Sequence, residues 1–114
     1  MQGKRTERIA ALVKHKIASA ITRDLKDPRI GFVTITDVYM SDDLKHARVF
    51  YSVMGAVEKI EETQNALYQA RGFLQRDLAK TLNLRFTPQL SFIRDSSLDE
   101  GMKIDGIIRK IHEE

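Results

Sequence analysis

Along the 114-residue chain the spacing of apolar positions changes period several times, and each change marks an element. Over residues 6–25, Ile9, Leu12, Val13, Ile17, Ala20 and Ile21 recur on one side of a helix. That helix is expected to stop near Lys26-Asp27-Pro28, because a residue before proline avoids helical backbone. After Gly31 the period falls to two, and β-branched and aromatic residues predict strands at 32–40 and 46–54. Ser41-Asp42-Asp43-Leu44 supplies turn residues between them, so the pair reads as an antiparallel hairpin. Alternation gives Ala47, Val49 and Tyr51 one face of the second strand, and Arg48, Phe50 and Ser52 the other.

Helical spacing returns at Val57 and closes near Asn83, after which Pro88 opens a short strand at 89–94. Ser97 with Glu100 has capping-box spacing, and Ile104, Ile107, Ile108 and Ile111 predict a last helix. The order is α-β-β-α-α-β-α, an α+β architecture with helices covering one side of a small sheet. Without internal repeat, linker or low-complexity tract, residues 1–114 read as a single domain.

One stretch does not suit a straight helix. Leu67, Ala70, Leu74, Leu78 and Leu82 keep the apolar spacing. At about 100° per residue, however, Arg71 lies roughly 40° from Leu67, on the buried stripe. Phe73 falls on the flank that carries Arg76 and Lys80. Gly72 stands between the two misfits, and glycine costs about 1 kcal/mol in a helix interior. A helix–bend–helix at Ala70-Arg71-Gly72 would cure both, with Phe73 turning into the core. The alternative is one continuous helix with a tolerated glycine and Arg71 extended along its rim.

Charge changes the picture more than composition does. Hydrophobic residues make up 42% and charged residues 31%, as in ordinary globular domains. The net charge is only +3. Its distribution is uneven: +5 over residues 1–30, −3 over 31–68, +3 over 69–95 and −2 over 96–114. Arg5, Arg8, Lys16, Arg23 and Lys26 project within about 80° of one another on the first helix, with few acids to neutralise them. If the two positive segments are neighbours in space, they form a basic face.

Catalytic and metal chemistry find no support. There is no cysteine, which excludes disulfides, thiolate metal sites and a Cys nucleophile. His15, His46 and His112 fall in different elements without carboxylates at ligand spacing. Asp42-Asp43 reads as a turn pair, and no phosphate loop or nucleophile motif is present. The chain is therefore expected to be neither an enzyme nor a carrier of a metal or cofactor. A charged N-terminus and the lack of a long apolar run argue against a signal peptide or membrane span.

With the elements in order, a set of motifs stands out. Leu25-Lys26-Asp27-Pro28-Arg29-Ile30 leads into Val33-Thr34-Ile35-Thr36-Asp37-Val38, then Ser41-Asp42-Asp43-Leu44 and Ala47-x-Val49-x-Tyr51. Ala70-Arg71-Gly72-Phe73-Leu74, Leu84-Arg85-x-Thr87-Pro88-x-Leu90-x-Phe92 and Asp95-x-Ser97 follow, with Gly101 and Ile104-Asp105. In this register, from about residue 5 to 111, the chain resembles bacterial ribosome-binding factor A. The resemblance implies a type II KH-like domain whose usual RNA loop is replaced by an Ala-x-Gly bend between two helices, here Ala70-Arg71-Gly72. It also implies a cytoplasmic, non-catalytic factor that binds the immature 30S subunit and its rRNA. Late subunit maturation and rRNA processing, especially in the cold, are the implied roles. Some members carry a longer C-terminal tail; this chain, ending at Glu114, is expected to lack one.

The expected RNA-binding residues are Arg5, Arg8, Lys16 and Arg23 on the first helix. Ala70, Arg71, Gly72, Arg76, Lys80 and Arg85 complete the set around the bend. Phosphate contacts from such cations supply affinity and little sequence information. Phe73, if not in the core, would stack on an unpaired base, and Arg48 and Arg94 read equally well as solvated strand residues. The expected partners are small-subunit rRNA and free 30S subunits, bound by a monomer. The competing reading is a basic protein-interaction module that docks an acidic partner, with RNA incidental.

Overall fold

The structure, a computed structural model, describes residues 3–95. The helix expected over 97–111 lies outside the described residues. Helix α1 (Lys4–Ala20) is followed by strands β1 (Phe32–Met40) and β2 (His46–Met54), helix α2 (Val57–Thr81) and strand β3 (Gln89–Arg94). Both hairpin strands and β3 occupy the segments that alternation predicted.

Helix α1 buries Thr6, Ala10, Val13, Ile17 and Ala20, an unbroken three-or-four spacing. Leu12, expected in that stripe, lies one position to its side and is 49% exposed. Beyond Ala20 the helix widens into a π-turn (Ile21–Leu25) and ends at Lys26, whose left-handed backbone has φ 45°. The stop falls where Pro28 required it. Because the wider turn changes the angle per residue, Arg23 and Lys26 leave strict register with the cation row of α1.

The sheet order is β1-β2-β3, with β1 antiparallel to β2 and β3 parallel to it. Ala47, Val49 and Tyr51 point into the core, as alternation predicted. Strand β1 stays in phase with them by means of a bulge. Ile35 faces Tyr51 and Asp37 faces Phe50, which leaves Thr36 as the extra residue. That insertion lets Ile35, Val38 and Met40 all reach the core despite their odd spacing. Both helices cover the same side, α1 over β1 and α2 over β2 and β3.

The expected bend is corrected by the structure. Helix α2 runs as one hydrogen-bonded helix through Ala70, Arg71 and Gly72. Leu67, Leu74 and Leu78 are fully buried along it, each contributing roughly 1.5–3 kcal/mol. The misfits are resolved without breaking the helix. Arg71 turns back over the exposed ring of Tyr68, with its guanidinium carbon 4.0 Å from the ring centre. Its Nε donates to the Tyr68 carbonyl at 3.3 Å. Phe73 stays at the surface, 43% exposed, rather than entering the core. Gly72 makes no use of positive φ.

Between the end of α1 and α2 the chain is locked by polar contacts. Asp27 accepts the Arg29 backbone N–H at 2.9 Å and pairs with its guanidinium at 2.7 Å. The Arg29 guanidinium also donates to Gln69 Oε1 on α2 at 2.9 Å. Lys59 Nζ donates to the Pro28 carbonyl at 2.9 Å. Buried Thr63 accepts the Gly31 N–H at 3.1 Å and faces the Arg29 and Lys59 carbonyls at 3.2 and 2.8 Å. The Asp-Pro-Arg motif is thus a structural latch.

Candidate RNA-binding face

The condition set by the charge pattern is met: α1 and α2, the two basic segments, pack against each other. Lys16 on α1 reaches Asp77 on α2 at 3.4 Å, both partly buried. Asp77 Oδ2 is shielded from water and has no well-aligned hydrogen bond, so the nearby ammonium is its main compensation. Lys16 therefore spends its charge inside the protein, unlike the other cations of the expected set.

Those others remain without acidic partners. Among the described residues, Arg5, Arg8, Arg23, Arg71, Arg76, Lys80 and Arg85 form no ion pair. All but Arg71 are exposed, and Arg71 is half-buried against Tyr68. Around Gly72 the free guanidinium of Arg76 lies close: a methyl placed on Gly72 would meet its Nη1 at 3.2 Å. Ala70 and Gly72 are half-buried, so the Ala-Arg-Gly turn of α2 is accessible. At the far end of the helices the structure brings Arg5 and Arg85 to one recess of 390 Å³, together with Asp42, Asp43, Asn83 and Phe86.

Residues that charge counting missed lie beside the cations. Tyr68, 63% exposed, carries Arg71 and borders a recess of 420 Å³ with Gln64, Asn65 and Ser91. Lys45 stands 4.6 Å above the centre of the Phe86 ring. The signal for these was an aromatic next to a cation in sequence, visible in Tyr68-x-x-Arg71 and Arg85-Phe86. Chemically, the face offers unpaired cations and half-open aromatic rings, which suit phosphate and unpaired bases. Among the described residues no group of His, Asp or Glu is arranged to hold a metal ion.

Comparison with known proteins identifies the family. The sequence pattern of ribosome-binding factor A matches residues 5–108. A relative of that name from Geobacter metallireducens is 40% identical over 111 residues, covering 97% of this chain and 94% of its own. Another, from Syntrophus aciditrophicus, is 44% identical over 113 residues, covering 99% and 92%. The crystal structure of ribosome-binding factor A from Thermus thermophilus superposes with a TM-score of 0.69 at 27% identity, covering 78% of this chain and 94% of that one. Coordinates of the Thermus thermophilus factor fitted into a cryo-EM map of its complex with 30S give 0.67 at 26% identity, covering 80% and 96%. Family pattern, full-length relatives and superposed folds converge, and the chain belongs to the ribosome-binding factor A family.

Proposed function

We propose that this protein binds the small ribosomal subunit through its rRNA and assists late maturation of that subunit and processing of its rRNA. The observation that carries the reading is the row of cations without internal partners on two adjacent helices. The family membership and the 30S complex of the Thermus thermophilus relative support the choice of partner. Arg5, Arg8, Arg23, Arg76, Lys80 and Arg85 bind phosphates, with Arg71 and the accessible Ala70-Arg71-Gly72 turn in direct contact. Lys16 contributes through its hold on Asp77 instead. The factor acts in the cytoplasm as a single-domain monomer, without catalysis of its own, and its loss is felt most at low temperature.

Sedimentation of a cell extract tests the reading. The protein is expected to co-migrate with free small subunits, and nuclease treatment is expected to release it. Migration with whole ribosomes would count against the reading, and retention in a protein complex after nuclease would favour an acidic protein partner instead.

A further inference from the structure

Phe86 is displayed rather than packed. It stands on the connection between α2 and β3, and both ends of that connection are fixed. At one end Asn83 turns left-handed (φ 53°), and Leu84 N–H closes the helix onto the Ala79 carbonyl at 3.0 Å. At the other, Pro88 is buried and Gln89 N–H donates to the Lys45 carbonyl at 2.8 Å. The ring between these anchors is 45% exposed. Lys45 Nζ and the Arg85 guanidinium lie 4.6 and 5.4 Å from its centre. Arg5 borders the same recess.

Two acids share this corner, and their commitments differ. Asp43 accepts from the Ser41 hydroxyl at 2.6 Å and from the Lys45 backbone N–H at 3.0 Å. Those bonds hold its carboxyl below the usual range. Its charge is thus bound up in the hairpin turn, whereas Asp42 is exposed. In the lining of the recess Arg5 and Arg85 balance these two acids, and Lys45 over the Phe86 ring tips the corner to a net positive charge.

We propose that Phe86, with Arg5, Lys45 and Arg85, forms a binding site for one unpaired RNA nucleotide. The base takes the place of the Lys45 ammonium over the phenyl ring, and Lys45, Arg5 and Arg85 hold its phosphate. Because both ends of the loop are pinned, its backbone is already ordered and little backbone ordering cost accompanies binding. A phenyl face reads no hydrogen-bond pattern, so the site selects single-stranded over paired RNA and tolerates any base. The inference rests on the RNA-binding reading above and adds a contact remote from the Ala70-Arg71-Gly72 turn in sequence.

The chain has no tryptophan, so Phe86→Trp places a lone indole reporter at the site. Titration with a short single-stranded oligoadenylate is expected to quench that indole, and an RNA duplex of equal charge is expected to leave it bright. Phe86→Ala should weaken oligoadenylate binding by about 5- to 150-fold, the span of one stacked base, while Phe86→Tyr retains it. If the oligomer binds with undiminished salt dependence but neither quenches the introduced indole nor responds to the alanine change, the stacking site is wrong and the general reading survives. If the unaltered chain binds no oligoadenylate at low salt, both fall. Quenching by an acidic peptide in place of RNA also overturns the site.

Discussion

Arg29 and Arg76 are both arginines of one chain, yet the protein treats them differently. Arg29 is held by Asp27 at 2.7 Å and by Gln69 at 2.9 Å, across the loop that ties α1 to α2. Arg76, on the same α2, is exposed and makes no ion pair among the described residues. The same division runs through the other cations. Lys16 and Lys59 serve internal acids or carbonyls, whereas Arg5, Arg8, Lys80 and Arg85 serve none among the described residues. Positive charge alone therefore marks no binding face. In the proposed function what marks it is positive charge that folding has left unspent, and the two regions can be separated by experiment.

The largest effect should come from the unspent side. Replacing Arg71 and Arg76 together by Glu should weaken small-subunit binding by about 100-fold, since two phosphate contacts become repulsions. Loss of the Arg71–Tyr68 stack should cost about 0.5–1 kcal/mol of stability, so a thermal melt should still show a folded domain. Undiminished binding would remove this face from the site. The opposite pattern is expected at the latch. Thr63→Val leaves the Gly31 N–H without its acceptor and should cost about 1–3 kcal/mol in denaturant unfolding. The steepness with which binding falls with salt should not change.

How far the sequence anticipated this division depends on the range of the interactions. Strands at 32–40, 46–54 and 89–94 were readable because β-branched runs end abruptly at glycine, turn residues or a charged tail. The parallel placement of β3 beside β2 was not, because pairing across an intervening helix leaves no local mark. Asp27-Pro28-Arg29 was recognisable as a motif, but its role was hidden: the groups that complete it, Lys59, Thr63 and Gln69, lie beyond both hairpin strands, 31 to 40 residues away in sequence. Likewise, the residue types around Arg71 signalled an irregularity without saying how it would be relieved. Bending the backbone and laying the guanidinium over Tyr68 both satisfy the periodicity, and the continuous helix α2 uses the second. The scarcity of acids near the cations was visible along α1, but the pairing of Lys16 was not, because Asp77 sits on another helix.

Gly72 sharpens the comparison at smaller scale. It is helical without positive φ, and an added methyl would meet only the flexible end of Arg76 at 3.2 Å. Gly72→Ala should therefore raise stability by about 0.5–1 kcal/mol. Binding to small subunits should nonetheless weaken, because the methyl occupies the place proposed for a phosphate. A more stable variant with unchanged binding would assign the glycine to packing alone.

The smallest effect is expected from acid. Hydrogen bonds from the Arg29 side chain and backbone hold the Asp27 carboxyl down to about 2. A lowered folded-state value means that this contribution to stability is complete above the ordinary carboxylate range and fades as pH falls toward 2. In Asp27→Asn the fall in melting temperature over that acid window should be shallower. An identical acid limb in both proteins would mean that the latch carries no such linkage.

The central claim is that the unspent cations neutralise RNA phosphates, and salt tests it most directly. Affinity of the unaltered protein for purified small subunits, measured across a salt series, should fall with a log–log slope of about −5 to −6, as the phosphate contacts of the proposed cations require. A slope near zero would contradict the account, because the cations that folding leaves free would then not be what holds the partner.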